Sequence, residues 1–411
     1  MQAQARRRGA VAAEAQDKAQ KARDEPTERL DRIEVASAGS QRTGHVQEAR
    51  TKMKAMVLAA GVGSRLDPLT TLVPKPLVPV VNTPVMELIL KLLLRHGITD
   101  VCANLHYLPE KIVEYFGDGS RFGVNLKLNH EPKLSGDAGG VRSCREFLQT
   151  GTFMVIMGDL LTDADLSTIV NIHKEKKALA SIAIKPVPMQ EVNRFGVVVR
   201  NNNGLITGFQ EKPQPEEALS NMISTGIYIL EPEVFKYMPA DGEFGFGRQL
   251  FPQLVKAGLP VLGIEMEPGT YWSDVGTIQQ YRESNFDALE GLVKVERKGV
   301  RTQIGSAEVW ISEGATIEDG CHLEGTLMIG RHSRISRGST ISGRVIVGDN
   351  CVIEPNAHVR DTLVWNGAHV QENAHVENCV IGYNCVVSNG SKHIEVAQVA
   401  PVLPLRTVAI N

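Results

Sequence analysis

The pattern of apolar and polar positions divides the chain into three stretches. Residues 1–52 are rich in Ala, Gln, Arg and Glu and contain no Phe, Tyr or Trp. Such a segment cannot bury enough apolar surface to offset its ordering entropy, so it is expected to be disordered or loosely helical. From residue 53 to about 292, short apolar runs alternate with helix-like stretches. Ala55-Met-Val-Leu-Ala-Ala60 and Phe153-Met-Val-Ile-Met157 read as buried strands, as do 101–105 and 126–128. Thr83 stands where an N-cap would, Pro84 at a first helical position and Gly97 at an end, which predicts a helix over 85–96. A second helix is predicted over 110–116 and a third over 141–148. This alternation implies an α/β fold, a mostly parallel sheet with helices on both faces. Strands at 179–184, 196–200, 205–209 and 226–230 follow, some of them antiparallel because turns such as Asn202-Asn203-Gly204 are short.

The third stretch has another period. Ile311, Ile317, Leu323, Ile329, Ile335, Ile341, Val347, Ile353 and Val359 each stand six residues after the last. After a slip of register the series continues at Val364, Val370 and Val376, then at Ile381 and Val387. Gly and Asn fill the turns between them, as in Val347-Gly348-Asp349-Asn350. Six-residue repeats are the signature of a parallel β-helix, each face sending one aliphatic side chain inward. A left-handed β-helix is therefore expected over 293–391, with 392–411 as a tail.

At 411 residues the chain has room for two domains or more. Its 42% hydrophobic and 22% charged residues are ordinary for a globular protein. A net charge of −3 gives no field that would gather nucleic acid. No apolar run is long enough to span a bilayer. The six cysteines are scattered, without a Cys-x-x-Cys pair, and read as thiols of a reducing, cytoplasmic compartment. Arg6-Arg7-Arg8 is not read as a targeting signal, because Glu14, Asp17, Asp24 and Glu25 follow it.

The chemistry concentrates after the first strand. Gly61 and Gly63 let the backbone turn and bring N–H groups close to a ligand. Arg65 can lay a guanidinium fork on the same ligand, and Lys75 is a second cation between Pro74 and Pro76. Together they describe a polyphosphate cradle. Asp159, at the end of the strand 153–157, is a candidate ligand for a hard cation such as Mg²⁺. Asp274, in Trp272-Ser-Asp-Val-Gly276, is another, although by itself it reads better as a helix N-cap or turn former.

Leu58-Ala-Ala-Gly-Val-Gly-Ser-Arg65-Leu-Asp-Pro-Leu-Thr, followed by Pro74-Lys-Pro-Leu77, resembles the signature of the sugar-1-phosphate nucleotidyltransferases, the NDP-sugar pyrophosphorylases. Ser64 stands where that family usually has Thr. The resemblance runs from about residue 53 to 387. It implies a Rossmann-like nucleotidyltransferase domain over 53–292 and transfer of a nucleotidyl group from an NTP to a sugar 1-phosphate, releasing pyrophosphate. Met53-Lys-Ala-Met resembles the family's natural start, which implies that residues 1–52 are an upstream extension; residues before Met53 in N-terminal sequencing of the native protein would reject this. Leu58, Ala60, Gly61, Gly63 and Ser64 would meet the nucleotide. Arg65 and Lys75 would neutralise phosphate charge, and Asp159 and Asp274 would hold Mg²⁺ jointly. Glu131-Pro-Lys-Leu-Ser-Gly136-Asp137-Ala-Gly139-Gly140 stands at the place of the base-contacting loop, where Asp137 accepts from a base edge or caps the next helix, and Glu131 is a comparable candidate. Glu211-Lys212-Pro213 resembles the motif that meets the sugar phosphate, Lys212 on the phosphate and Glu211 on the sugar hydroxyls. Gly196, in Arg194-Phe-Gly-Val, and Thr225, in Ser224-Thr-Gly-Ile-Tyr228, would line the sugar pocket. Such a reaction brings anions together, each unit pair repelling by ~1 kcal/mol at 4 Å in water. It needs cations and alignment more than a base.

Within the class the chain looks most like mannose-1-phosphate guanylyltransferases, using GTP, with bacterial glucose-1-phosphate uridylyltransferases as the rival. A non-catalytic paralogue that senses an NDP-sugar stays open, as does a second, acyltransferase activity in the β-helix. The expected macromolecular partner is a second copy, stacked through flat β-helix faces.

Overall fold

Strand β1 (Lys54–Leu58) sends Ala55 and Val57 into one apolar layer and Met56 into the other, so the main sheet is buried on both faces. The computed structural model describes residues 52–398 and the strand Thr407–Ala409. The expectation for 1–51, and half of that for the tail, lies outside the described residues. The tail expected from 392 is corrected in its described part: the β-helix ladders run on, His375 pairing with Lys392 and Val380 with Ala397.

The sheet continues with β2 (Asp100–Leu105), β3 (Asn125–His130), β4 (Phe153–Met157), β5 (Ala180–Pro186), β6 (Gly196–Arg200), β7 (Ile206–Glu211), β8 (Met222–Leu230) and β9 (Val261–Glu265). Its order is β3-β2-β1-β4-β8-β5-β9. The first four of these are parallel. β8 then runs antiparallel to β4, and the β6–β7 hairpin joins it through Ile223 and Val197. Helix α1 (Val85–Arg95) packs on one face and α2 (Asp137–Ser143) on the other. The mixed α/β sheet agrees with the alternation of patterns along the sequence.

Two local expectations are corrected. Thr83 does not cap α1: Thr83–Pro84 pairs antiparallel with Pro79–Val80, and Pro84 takes the cap position. The helix expected over 141–148 begins at Asp137 and breaks at Cys144, with a separate turn at Arg145–Leu148.

Beyond α3 (Ile278–Glu290) the chain winds into a parallel β-helix. Ile329 pairs with Val347, eighteen residues on, and Ile335 with Ile353. The next coil is one residue shorter: Ile353 pairs with Val370 and Val359 with Val376, seventeen on. This is the slip of register. It falls at a corner that Gly325 and Gly343 occupy in earlier coils and Asp361 and Asn378 in later ones, all at positive φ. The six-spaced aliphatics from Ile329 to Val387 fill the helix interior. Each contributes about 1.5–3 kcal/mol relative to exposure.

One apolar cluster joins the two parts of the chain. Tyr281 and Phe286 of α3 pack with Trp310, Met328, Ile346, Leu363 and Trp365 of the β-helix. Five cysteines are buried and Cys321 is half-buried, and all are free thiols. Among the described residues no helix is long and apolar enough to cross a membrane.

Candidate active site

The carboxyl ends of β1 and β4 open onto a cavity of about 540 Å³. Gly158 lies against the end of β1, its N–H donating to the Leu58 carbonyl at 2.9 Å. Leu58, Ala60, Gly61, Gly63, Ser64, Arg65 and Lys75 all line this cavity. Gly63 has φ 76°, a left-handed conformation that bends the chain into the short turn Ser64–Leu66. The Arg65 side chain is exposed and has no hydrogen-bond partner among the described residues. Lys75 is buried and paired with Asp159.

A second cavity of about 210 Å³ adjoins the first and shares Asp137, Met157 and Asp159 with it. Gly196, Glu211, Lys212, Ser224, Thr225 and Asp274 line it. Asp159 therefore stands at the seam. Asp274 is brought beside it by the short strands Leu160–Thr162 and Trp272–Asp274 and by the Val275 N–H, which donates to the Asp159 carbonyl at 2.9 Å. Asp274 Oδ1 accepts from Arg194 Nη2 at 2.7 Å. Burial holds the Asp274 carboxyl above its usual range, with Arg194 pulling it down and Asp159 pushing it up.

The far end of the small cavity carries Glu211, also pushed up by burial, with Lys212 opposing and Asp137 adding to the shift. Lys212 has φ 51°, and its N–H donates to the Phe195 carbonyl at 3.0 Å, closing the strand end over the cavity. Gly196 is required by its neighbour, since a Cβ there would come within 2.5 Å of Phe209 Cζ. The Thr225 hydroxyl is not free for a ligand: it donates to the Ala183 carbonyl at 2.8 Å. Ser224, whose Oγ lies 3.3 Å from Tyr228 OH, is the more available hydroxyl.

The loop after β3 differs from the expectation that several of its residues face the nucleotide. Gly136 and Asp137 line the large cavity, but Glu131, Gly139 and Gly140 do not. Glu131 is buried, with Oε1 accepting from Asn104 Nδ2 at 2.7 Å and Oε2 from Ser135 Oγ at 2.6 Å. A Cβ on Gly139 would meet Ser135 at 2.9 Å, and one on Gly140 would collide with the Asn104 amide. These residues brace the loop from behind. Asp137 Oδ1 accepts the N–H groups of Ala138 at 2.8 Å and Phe246 at 2.7 Å, tying α2 to the segment after Gly245. Burial raises its carboxyl, and those two N–H groups oppose the rise.

Two residues of the site were missed in the sequence. Asn104 lines the large cavity while its Oδ1 accepts the Ala59 N–H at 3.0 Å. A polar residue interrupting the apolar strand Val101-Cys-Ala-Asn-Leu105 was its signal. Arg194, within the quoted Arg-Phe-Gly-Val motif, is the cation that faces Asp274.

The donor set at the seam suits a hard divalent cation. Two carboxylates stand together there, each now balanced by a side-chain cation. Among the described residues no three His, Cys, Asp or Glu side chains converge.

Comparison with known proteins matches residues 54–291 to the nucleotidyl transferase family and 323–400 to the family described as GMPPB C-terminal domain. A UTP–glucose-1-phosphate uridylyltransferase of Synechocystis sp. is 39% identical over 82% of this chain and 90% of its own length. A mannose-1-phosphate guanylyltransferase of Mycobacterium tuberculosis is 30% identical over 74% of this chain and 84% of its own. A Bacillus anthracis structure, assigned as a glucose-1-phosphate thymidylyltransferase and solved with a sucrose, superposes with a TM-score of 0.53 at 29% identity. It covers 59% of this chain and 96% of that one.

Proposed function

The chain belongs to the nucleotidyl transferase family and is a sugar-1-phosphate nucleotidyltransferase, and from that premise we propose that it joins UTP to glucose 1-phosphate, giving UDP-glucose and pyrophosphate. The observation that carries this pair is the similarity to the Synechocystis uridylyltransferase over 90% of that protein's length. GTP with mannose 1-phosphate is the second reading. It is favoured by the match of 323–400 to the GMPPB C-terminal family and by the guanylyltransferase at 30% identity. The Ala138-Gly139-Gly140 loop and the β-helix, read from the sequence, put these two pairs in the opposite order.

The triphosphate lies in the large cavity over Gly61 and Gly63, and the sugar 1-phosphate in the small one. Arg65 neutralises charge on the leaving pyrophosphate and Lys75 on the triphosphate. Lys212 fixes the attacking phosphate, and Glu211 accepts from sugar hydroxyls. The nucleophile is already an anionic phosphate oxygen, so these residues align and neutralise and need not remove a proton. Asp159 and Asp274 would hold Mg²⁺ at the seam of the cavities. There the ion would supply further neutralisation of phosphate charge. A sensor paralogue would be expected to lack part of this set, whereas Arg65, Lys75, Asp159 and Asp274 are all present at the cavity walls.

Pyrophosphate release with Mg²⁺ tests the reading, crossing UTP, GTP, dTTP, ATP and CTP against glucose-, mannose- and N-acetylglucosamine 1-phosphate. UTP with glucose 1-phosphate is expected to turn over fastest. A preference for GTP with mannose 1-phosphate would replace the first reading with the second.

A further inference from the structure

The turn that follows Lys75 is strained, and part of what holds it lies outside the catalytic domain. Pro79–Val80 and Thr83–Pro84 form a two-residue hairpin, with Val81 at φ 42° and Asn82 at φ 59°. A hairpin with positive φ at both central positions favours Asn, Asp and Gly. A β-branched residue there is an outlier and is strained. Such a conformation persists only where its surroundings over-determine it.

Those surroundings come from α3 and the β-helix. The Val81 N–H donates to Asn285 Oδ1 at 2.9 Å, and the Asn82 amide donates to the Val347 carbonyl at 2.9 Å. The Pro79 carbonyl accepts from the Tyr281 hydroxyl at 2.5 Å. That same hydroxyl accepts the Trp365 indole N–H at 2.8 Å, from the β-helix face that packs on α3. Tyr281 is 0% and Trp365 3% exposed, so water cannot replace either bond. The hairpin stem leads straight to the site, since the Val78 N–H donates to the Lys75 carbonyl at 3.1 Å. The other end of the linkage also reaches the site: Thr277, the N-cap of α3, follows Asp274-Val-Gly276.

We propose that Tyr281 and Trp365 are positioning residues through which the docked β-helix holds the Pro79–Pro84 hairpin, and with it Lys75, in the conformation that binds the nucleotide. Apolar packing fills this junction, and within it buried polar groups also converge on the strained turn that follows Lys75. The proposal rests on the reading of the large cavity as the nucleoside triphosphate site.

The test uses the full chain with Trp365→Phe, which removes the indole N–H, and with Tyr281→Phe, which removes the shared hydroxyl. Affinity for Mg-UTP and Mg-GTP is measured by calorimetry, and KM for each substrate by pyrophosphate release. Nucleotide affinity should fall about tenfold in both variants, while KM for the sugar 1-phosphate stays within about twofold. A lower melting temperature with unchanged nucleotide affinity in both single variants would overturn the proposal. A wild-type chain that binds neither nucleotide would overturn the reading of the cavity, and the proposal with it.

Discussion

Arg194 Nη2 lies 2.7 Å from Asp274 Oδ1, and this pair closes the small cavity on the side where Asp159 opens it to the large one. Removing the guanidinium leaves a largely buried carboxylate beside a second one. Arg194→Ala should therefore lower turnover about a hundredfold, and Arg194→Lys should recover only part of it, because a point charge does not reproduce the fork. Steady-state pyrophosphate release measures both. Equal turnover in Arg194→Ala and wild type would remove Arg194 from the site.

Arg65 gives the opposite balance of activity and stability. Its side chain is exposed and unpaired among the described residues, so Arg65→Ala should leave the melting temperature within about 2 °C of wild type. Turnover should nevertheless fall about a hundredfold or more, because a charge that faces the leaving group is lost. Calorimetry and turnover on one preparation separate the two effects.

Asn104 links the glycine loop to the loop after β3 by accepting from Ala59 and donating to Glu131. Asn104→Ala leaves Oε1 of the buried Glu131 carboxylate and the Ala59 N–H unpaired, at a cost of about 2–4 kcal/mol. Asn104→Asp keeps the acceptor for Ala59 but sets a carboxylate against Glu131. The two acids would then bind a proton more tightly folded than unfolded, so stability falls as pH rises. The melting-temperature deficit of Asn104→Asp should widen from about pH 5 to pH 8. A deficit that narrows over that interval would refute the linkage.

Asp137 carries a pH signature of its own. Burial raises its folded pKa above the unfolded value, against the pull of the Phe246 and Ala138 N–H groups. A raised carboxyl contributes stability when protonated, below the unfolded pKa, and loses it as pH climbs through the folded pKa. Asn at this position offers the same acceptor oxygen without the charge. Asp137→Asn should thus match or exceed the wild-type melting temperature at neutral pH, with the advantage shrinking towards acid. Asp137→Leu, which leaves the Phe246 N–H unpaired, should lose about 1–3 kcal/mol at acid pH, with the deficit shrinking as pH rises because it too lacks the charge.

Much of this architecture is legible in the chain because its signals are local. The six-residue period from Ile329 to Val387 marks the interior of the β-helix directly, and the slip after Val359 marks the shortened coil at Asp361. The alternation of apolar runs gives the mixed sheet, and the glycine loop with Arg65 and Lys75 does line one cavity. Less legible is whatever depends on which neighbour reaches a side chain first. Thr225 reads as a sugar-pocket hydroxyl, but the Ala183 carbonyl takes its hydrogen bond. Glu131 and Gly140 read as a nucleotide contact, yet Asn104, 27 positions before Glu131, occupies them. Thr83 reads as a cap, but pairing with Val80 outcompetes capping. No periodicity records such long-range partners.

The most direct test follows one oxygen atom. Sugar 1-phosphate carrying heavy oxygen at the non-bridging phosphate positions is incubated with the preferred NTP and Mg²⁺, and the products are weighed by mass spectrometry. If the sugar phosphate in the small cavity attacks the α-phosphorus of the nucleotide in the large one, all the label is retained in the NDP-sugar, one atom of it in the new bridge, and the pyrophosphate is unlabelled. Label in the pyrophosphate, or no NDP-sugar from any NTP and sugar phosphate with folded protein, would contradict the account.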